Sequence, residues 1–144
     1  MSLTVDTNLL VCASDTGSAL HGRARELPAD LAKGTDLVYL FWPVTTEYLR
    51  ITTHPAVFVN PLAPAAAREN IGSLIDRPHV RMPGEGRRFW GVYRDVTDRI
   101  PVRGNLVSDA HLVTLMREHG VRTIWTRDRD FRTFDGIEAV DPFE

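Results

Sequence analysis

The sequence is poor in the residues that build disulfides, thiolate metal centres or lysine-rich surfaces. Cys12 is the only cysteine in 144 residues, so no intrachain disulfide can form and Cys-rich zinc motifs are excluded. A reducing, cytoplasmic setting is therefore expected. Lys33 is the only lysine beside 16 arginines. Arginine's planar fork suits phosphate, but a GC-rich genome also raises Arg over Lys, so the bias decides nothing alone. A formal net charge of −2 does not mark the bulk surface as a nucleic-acid binder. No apolar run approaches the roughly 18 residues of a membrane span, and no basic segment leads into an apolar stretch near the start. Neither membrane insertion nor export is expected.

What is present suffices for a core: 43% of residues are hydrophobic and 25% charged. That balance, at this length, fits one domain over residues 1–144. Ser2 to Val5 reads as a strand ending at Asp6, with a helix from Leu9 capped by Thr7 or Asn8. Leu20, Leu27 and Leu31 predict one helix over 18–33, stopped by Gly34. The apolar run Leu37 to Trp42 predicts a strand buried on both faces, and Pro43 the first turn of a helix that His54-Pro55 closes. Residues 55–64 read as a connection. A helix over 65–75, a short strand within 78–83 and a helix through Trp90 to Val96 follow. The clearest helix spans Leu106 to His119, ended by Gly120, and strands over 121–126 and 136–140 complete the chain. The order implies an α/β fold with a mainly parallel sheet between helical layers.

Four acids fall where elements change. Asp6 follows the first strand, Glu47 lies on the helix after the second, Asp109 opens the helix at Leu106, and Asp128 follows the strand over 121–126. The C-terminal ends of parallel strands and the first turns of the next helices converge on one sheet edge. Carboxylates gathered there repel unless cations neutralise them, and hard oxygen donors suit Mg²⁺ or Mn²⁺. Such a site hydrolyses phosphodiesters without a protein nucleophile. Thr7, Asn8, Ser108 and Thr126 are candidate supporting donors.

The Val5-Asp6-Thr7-Asn8-Leu9-Leu10 opening, Glu47, Ser108-Asp109-Ala110 and Ile124-Trp125-Thr126-Arg127-Asp128-Arg129-Asp130-Phe131 together resemble the PIN domain from end to end. The closing Gly136-Ile137 and Asp141-Pro142 resemble the VapC-type toxins within that family. The resemblance implies a PIN-like three-layer fold and an Mg²⁺-dependent endoribonuclease, with Mn²⁺ able to substitute. It also implies a homodimer, an RNA substrate and a cognate VapB-type antitoxin over the acidic groove. Asp6 and Asp109 are then expected to bind metal, and Glu47 and Asp128 to do so directly or through water. Thr126, Asp128 and Asp130 share parity, so strand alternation cannot choose between the two acids. The family's Thr-x-Asp pattern favours Asp128, which leaves Asp130 as a turn cap or supporting group.

Taken singly, Asp6 and Asp109 also fit N-caps and Glu47 a solvated helix face; only their joint order points to a metal site. The five histidines show no ligand spacing. Trp42 and Trp125, inside apolar runs, are expected in the core, and Cys12 reads as a small buried residue. Arg87, Arg88, Phe89 and Trp90 form the one aromatic and basic cluster suited to RNA or a partner. An aspartyl-phosphate phosphatase would need an acid where Asn8 stands. An inactive interaction module of the same fold, and an RNA-processing nuclease without a toxin role, are the alternatives.

Overall fold

The computed structural model of the chain describes residues 2–15, 21–24, 26–33, 36–58 and 60–143. At its centre lies β1 (Ser2–Val5), whose Leu3, Thr4 and Val5 are all buried. Strands pair with both of its edges and helices cover both of its faces, so the residues need no alternation of polarity. Thr4 tolerates burial because its hydroxyl donates to the Tyr39 carbonyl at 2.6 Å.

From β1 the chain runs through α1 (Thr7–Ser14), α2 (His21–Ala24) and α3 (Leu27–Lys33) to β2 (Leu37–Tyr39). It continues through α4 (Trp42–Thr53) and α5 (Pro64–Ile75) to β3 (Val80–Arg81), then α6 (Phe89–Thr97) and α7 (Leu106–Glu118) to β4 (Thr123–Trp125). A 3-10 turn over Arg129–Thr133 precedes β5 (Glu138–Val140). The sheet has five strands in the order β3-β2-β1-β4-β5, and every pairing is parallel.

That order decides where a ligand can sit. Two crossovers step outward from β1 to β3, and the third returns past β1 to set β4 on its other side. With right-handed crossovers the reversal puts α1 to α5 on one face of the sheet and α6 and α7 on the other. Helix packing divides in the same way: α1 lies against α4, α4 against α5, and α6 against α7. Beyond the C-terminal ends of β1 and β4 the two layers part, leaving the crevice in which open α/β sheets bind ligands. The expected three-layer α/β architecture is what the chain adopts.

The core joins both layers through Val5, Leu9, Phe41, Met116, Ile124 and Phe131. Each such side chain stabilises by about 1.5–3 kcal/mol when fully buried. Helix α7 buries Ala110 and every residue from Leu112 to Met116, which anchors its middle in the core and leaves its first turn at the crevice. Gly120, at φ 71°, turns the chain out of α7 while the Val121 N–H donates to the Met116 carbonyl at 2.8 Å.

Several elements depart from expectation. Trp42 is not in the core: it opens α4 and is 49% exposed. Pro43, in the first turn, starts the helix here, so the run from Leu37 remains strand only to Tyr39. Leu40 and Phe41 are nevertheless fully buried. Trp125 and Cys12 pack partly buried against the core. The helix expected over 18–33 is two helices, α2 and α3. Pro28 has no N–H to offer the Ala24 carbonyl, so the helix restarts at Leu27. Leu20 and Gly34 lie outside the described residues. No helix among the described residues is long and apolar enough to cross a membrane.

Candidate active site

Asp6 stands one step beyond β1, where its N–H donates to the Trp125 carbonyl at 2.9 Å and extends the β1–β4 ladder past Val5. It occupies the N-cap position of α1, one residue before the caps expected, yet its side chain makes no capping bond there. Instead Asp6 Oδ2 accepts from Thr126 Oγ1 at 2.9 Å. The same hydroxyl, on a buried side chain, accepts the Asp128 N–H at 2.9 Å. Asp128 Oδ1 in turn accepts the Asp130 N–H at 2.9 Å and caps the 3-10 turn. One threonine hydroxyl thus ties the two strand ends that flank the crevice. The capping role expected of Asp130 belongs to Asp128, because the turn begins at Arg129 and its N-cap is the residue before.

Asp109 enters from the first turn of α7. Carboxylate oxygens of Asp109, Asp128 and Asp130 lie within 4.8 Å of one another. Burial, reinforced by the charges of Asp128, Asp6 and Asp130, pushes the Asp109 carboxyl up to about 7. Burial also raises Asp6, against the hydrogen bonds from Thr126 and the Thr7 N–H, and the Asp128 charge adds to the rise. A cluster in this state keeps a proton near neutrality or takes up a cation. Arg127, beside Asp128 in sequence, pairs instead with Asp141, Nε to Oδ2 3.3 Å. The donor set is carboxylate and hydroxyl oxygen, which fits Mg²⁺ or Mn²⁺ and excludes a preference for soft metals.

In front of Asp6 and Asp109 opens a cavity of about 520 Å³, also lined by Thr7, Asn8, Glu47, Asn105, Ser108 and His111. Thr126 and Asp128 line a second hollow, of about 60 Å³, with Arg127, Arg129 and Arg132. The sequence-derived acids therefore come together in two groups that meet at Asp6 and Asp109. Asp6 and Glu47 both face the cavity but lie outside the Asp109, Asp128 and Asp130 trio, and Arg50 grips the Glu47 carboxylate through Nη2 to Oε1 at 2.6 Å and Nε to Oε2 at 3.3 Å. Arg50 was legible as an i,i+3 partner of Glu47 and was missed. His111 was missed for a better reason: its Nε2 lies 2.8 Å from Glu85 Oε1, a contact across 26 residues that no local pattern signals.

No protein-family model matches the chain. Ribonuclease VapC48 of Mycobacterium tuberculosis is 53% identical over 143 residues, which cover 99% of each chain. Among solved structures, VapC20 of Mycobacterium tuberculosis, described as a Sarcin-Ricin loop cleaving toxin, aligns with a TM-score of 0.63 at 22% identity, over 94% of this chain and 98% of that one. A chain of VapBC2 from Rickettsia felis, solved bound to a DNA fragment from their promoter, aligns at 0.67 with 14% identity, over 97% and 98%. At those identities the structures speak for the fold. The sequence relative speaks for descent: more than half identical from end to end, it makes this chain a member of the VapC family of PIN-domain ribonucleases.

Proposed function

We propose that this chain is a single PIN domain acting as an Mg²⁺-dependent endoribonuclease, the toxin of a type II toxin–antitoxin pair. The observation that carries the reading is the acid cluster at the β1–β4 switch, where carboxylate oxygens of Asp109, Asp128 and Asp130 lie within 4.8 Å of one another and burial, reinforced by the neighbouring charges, pushes the Asp109 carboxyl up to about 7. A structural cap has no use for buried, crowded carboxylates; a cation site does. Asp109 would hold the metal together with Asp6 across the crevice and with Asp128 and Asp130, whose carboxylate oxygens lie within 4.8 Å of that of Asp109, and Mn²⁺ would substitute. Bound there, the cation supplies Lewis-acid chemistry for in-line phosphodiester hydrolysis.

The chain's own residues then have distinct tasks. Thr126 holds the Asp6 carboxylate in orientation and ties it to the Asp128 loop. Asn8 and Ser108, on opposite helices lining the cavity, offer neutral donors to phosphate oxygens. Arg50 holds Glu47 in place at the cavity wall.

An acidic crevice of this kind is also open to a cationic side chain, so a VapB-type antitoxin would silence it by presenting Arg or Lys to Asp6 and Asp109. The active form is a homodimer working in the cytoplasm on RNA. Retention and clustering of the acids argue against an interaction-only role. Induced expression of the wild-type chain should arrest growth and leave cleaved RNA, while Asp6→Asn and Asp109→Asn, equally soluble, should do neither. Growth arrest and RNA cleavage undiminished in both variants would remove the acids from the mechanism.

A further inference from the structure

The cavity wall includes His111, and from that residue a run of aromatic contacts leads away from the acids along α6. Phe89 meets the His111 ring edge-on, centroids 5.2 Å apart and planes at 73°. Phe89 stacks with Tyr93 at 6.4 Å, and Tyr93 with Trp90 at 5.6 Å with planes only 12° apart. The inner end is anchored, since Glu85 engages His111. The outer end is open: Trp90 is 66% exposed, more than any other large apolar side chain among the described residues. A nearly parallel tyrosine covers one face of the indole and leaves the other to solvent.

Charge near this run is mixed. Arg87, Arg88 and Arg94 share a shallow depression with Asp95 and Asp98, three cations against two acids. Among the described residues neither Arg87 nor Arg88 is held in an ion pair. The surplus suits a polyanion without being large enough to bind one by itself, so stacking must supply most of the affinity.

We propose that the α6 rings form a stacking subsite for unpaired bases of the RNA strand whose phosphodiester lies over Asp6 and Asp109. This rests on the ribonuclease reading and adds to it the rings that contact the substrate. Every base offers a π-face, whereas bases inside a duplex have both faces covered, so the subsite selects single-stranded segments and loops. Its continuity with the cavity through Phe89 and His111 places bound bases on the path of the strand being cut. Because Trp90 is exposed, replacing it removes little folding energy.

The test compares wild type, Trp90→Ala and Trp90→Phe in steady-state cleavage of a fluorescent single-stranded oligoribonucleotide with Mg²⁺. Trp90→Ala should raise KM by about tenfold with the smaller effect on kcat. Trp90→Phe, which keeps a stacking face, should restore most of it. In metal-free protein the oligoribonucleotide should quench tryptophan fluorescence in the wild type, and most of that quenching should vanish in Trp90→Ala. A KM in Trp90→Ala within about twofold of wild type, with quenching retained, would overturn the subsite. So would a change of oligomeric mass in Trp90→Ala at the assay concentration, which would assign the indole to a protein partner. Should the wild type cleave nothing, the nuclease reading fails by itself, and the quenching comparison still decides whether RNA meets these rings.

Discussion

Thr126 carries more of the site than any acid does alone. Its buried hydroxyl donates to Asp6 and accepts from the Asp128 backbone, so Thr126→Val breaks both bonds and strands a carboxylate and an N–H. Losing a buried partner costs about 1–3 kcal/mol. Chemical denaturation should read that loss, with cleavage reduced, and Thr126→Ser should recover both. Asp109 makes a second residue-level prediction. With its carboxyl held at about 7, against 3.8 ordinarily, the folded protein keeps a proton that the unfolded chain releases. That contribution is complete below about pH 4 and is lost as pH rises through 7. In EDTA, the midpoint of wild type relative to Asp109→Asn should therefore fall between about pH 4 and 7, and millimolar Mn²⁺ at pH 8 should restore it. A flat difference across that range would mean that burial and the neighbouring acids do not hold Asp109 up. The order of Asp6, Asp109 and Asp128 along the chain was readable at this scale. The mutual approach of Asp109, Asp128 and Asp130 was not, because it depends on a 3-10 turn that begins after Asp128 and brings both acids round to α7.

Among elements, that turn is the most informative. Its N-cap, Asp128, is at once a structural acceptor and a member of the acid cluster, and two substitutions separate the roles. Asp128→Asn keeps an acceptor oxygen and removes charge; Asp128→Ala removes both. Alanine should be less stable than asparagine by about 1 kcal/mol, while both impair cleavage to a similar degree. Equal stability with unequal cleavage would show that the cap does not hold the loop. Punctuating residues made most elements legible: Pro43 and Gly120 mark the start of α4 and the end of α7 as expected. Pro28 carried the same kind of signal and was overridden by the leucine spacing around it, which made one helix of α2 and α3. Trp42 shows the opposite failure, an apolar residue whose exposure is set by the proline that follows it.

For the whole molecule, the sheet order is what turns scattered acids into a site. Alternating strand and helix patterns announce a parallel α/β fold, but no pattern in the chain states that the third crossover turns back past β1. That reversal sets Asp6 and Thr126 side by side across 120 residues and leaves α4 and α7 facing each other over the cavity. Glu47 and Asp109 belong to opposite layers for the same reason. A crevice that cleaves RNA through a divalent cation held by the chain's own acids must fall silent when that cation is removed. The most direct measurement is cleavage of single-stranded RNA by metal-stripped protein as Mn²⁺ is added. Wild type should be silent without metal and become active with it, whereas Asp109→Asn, folded by its melting transition, should stay silent throughout. Cleavage that survives stripping, or an Asp109→Asn variant as active as wild type, would contradict the account.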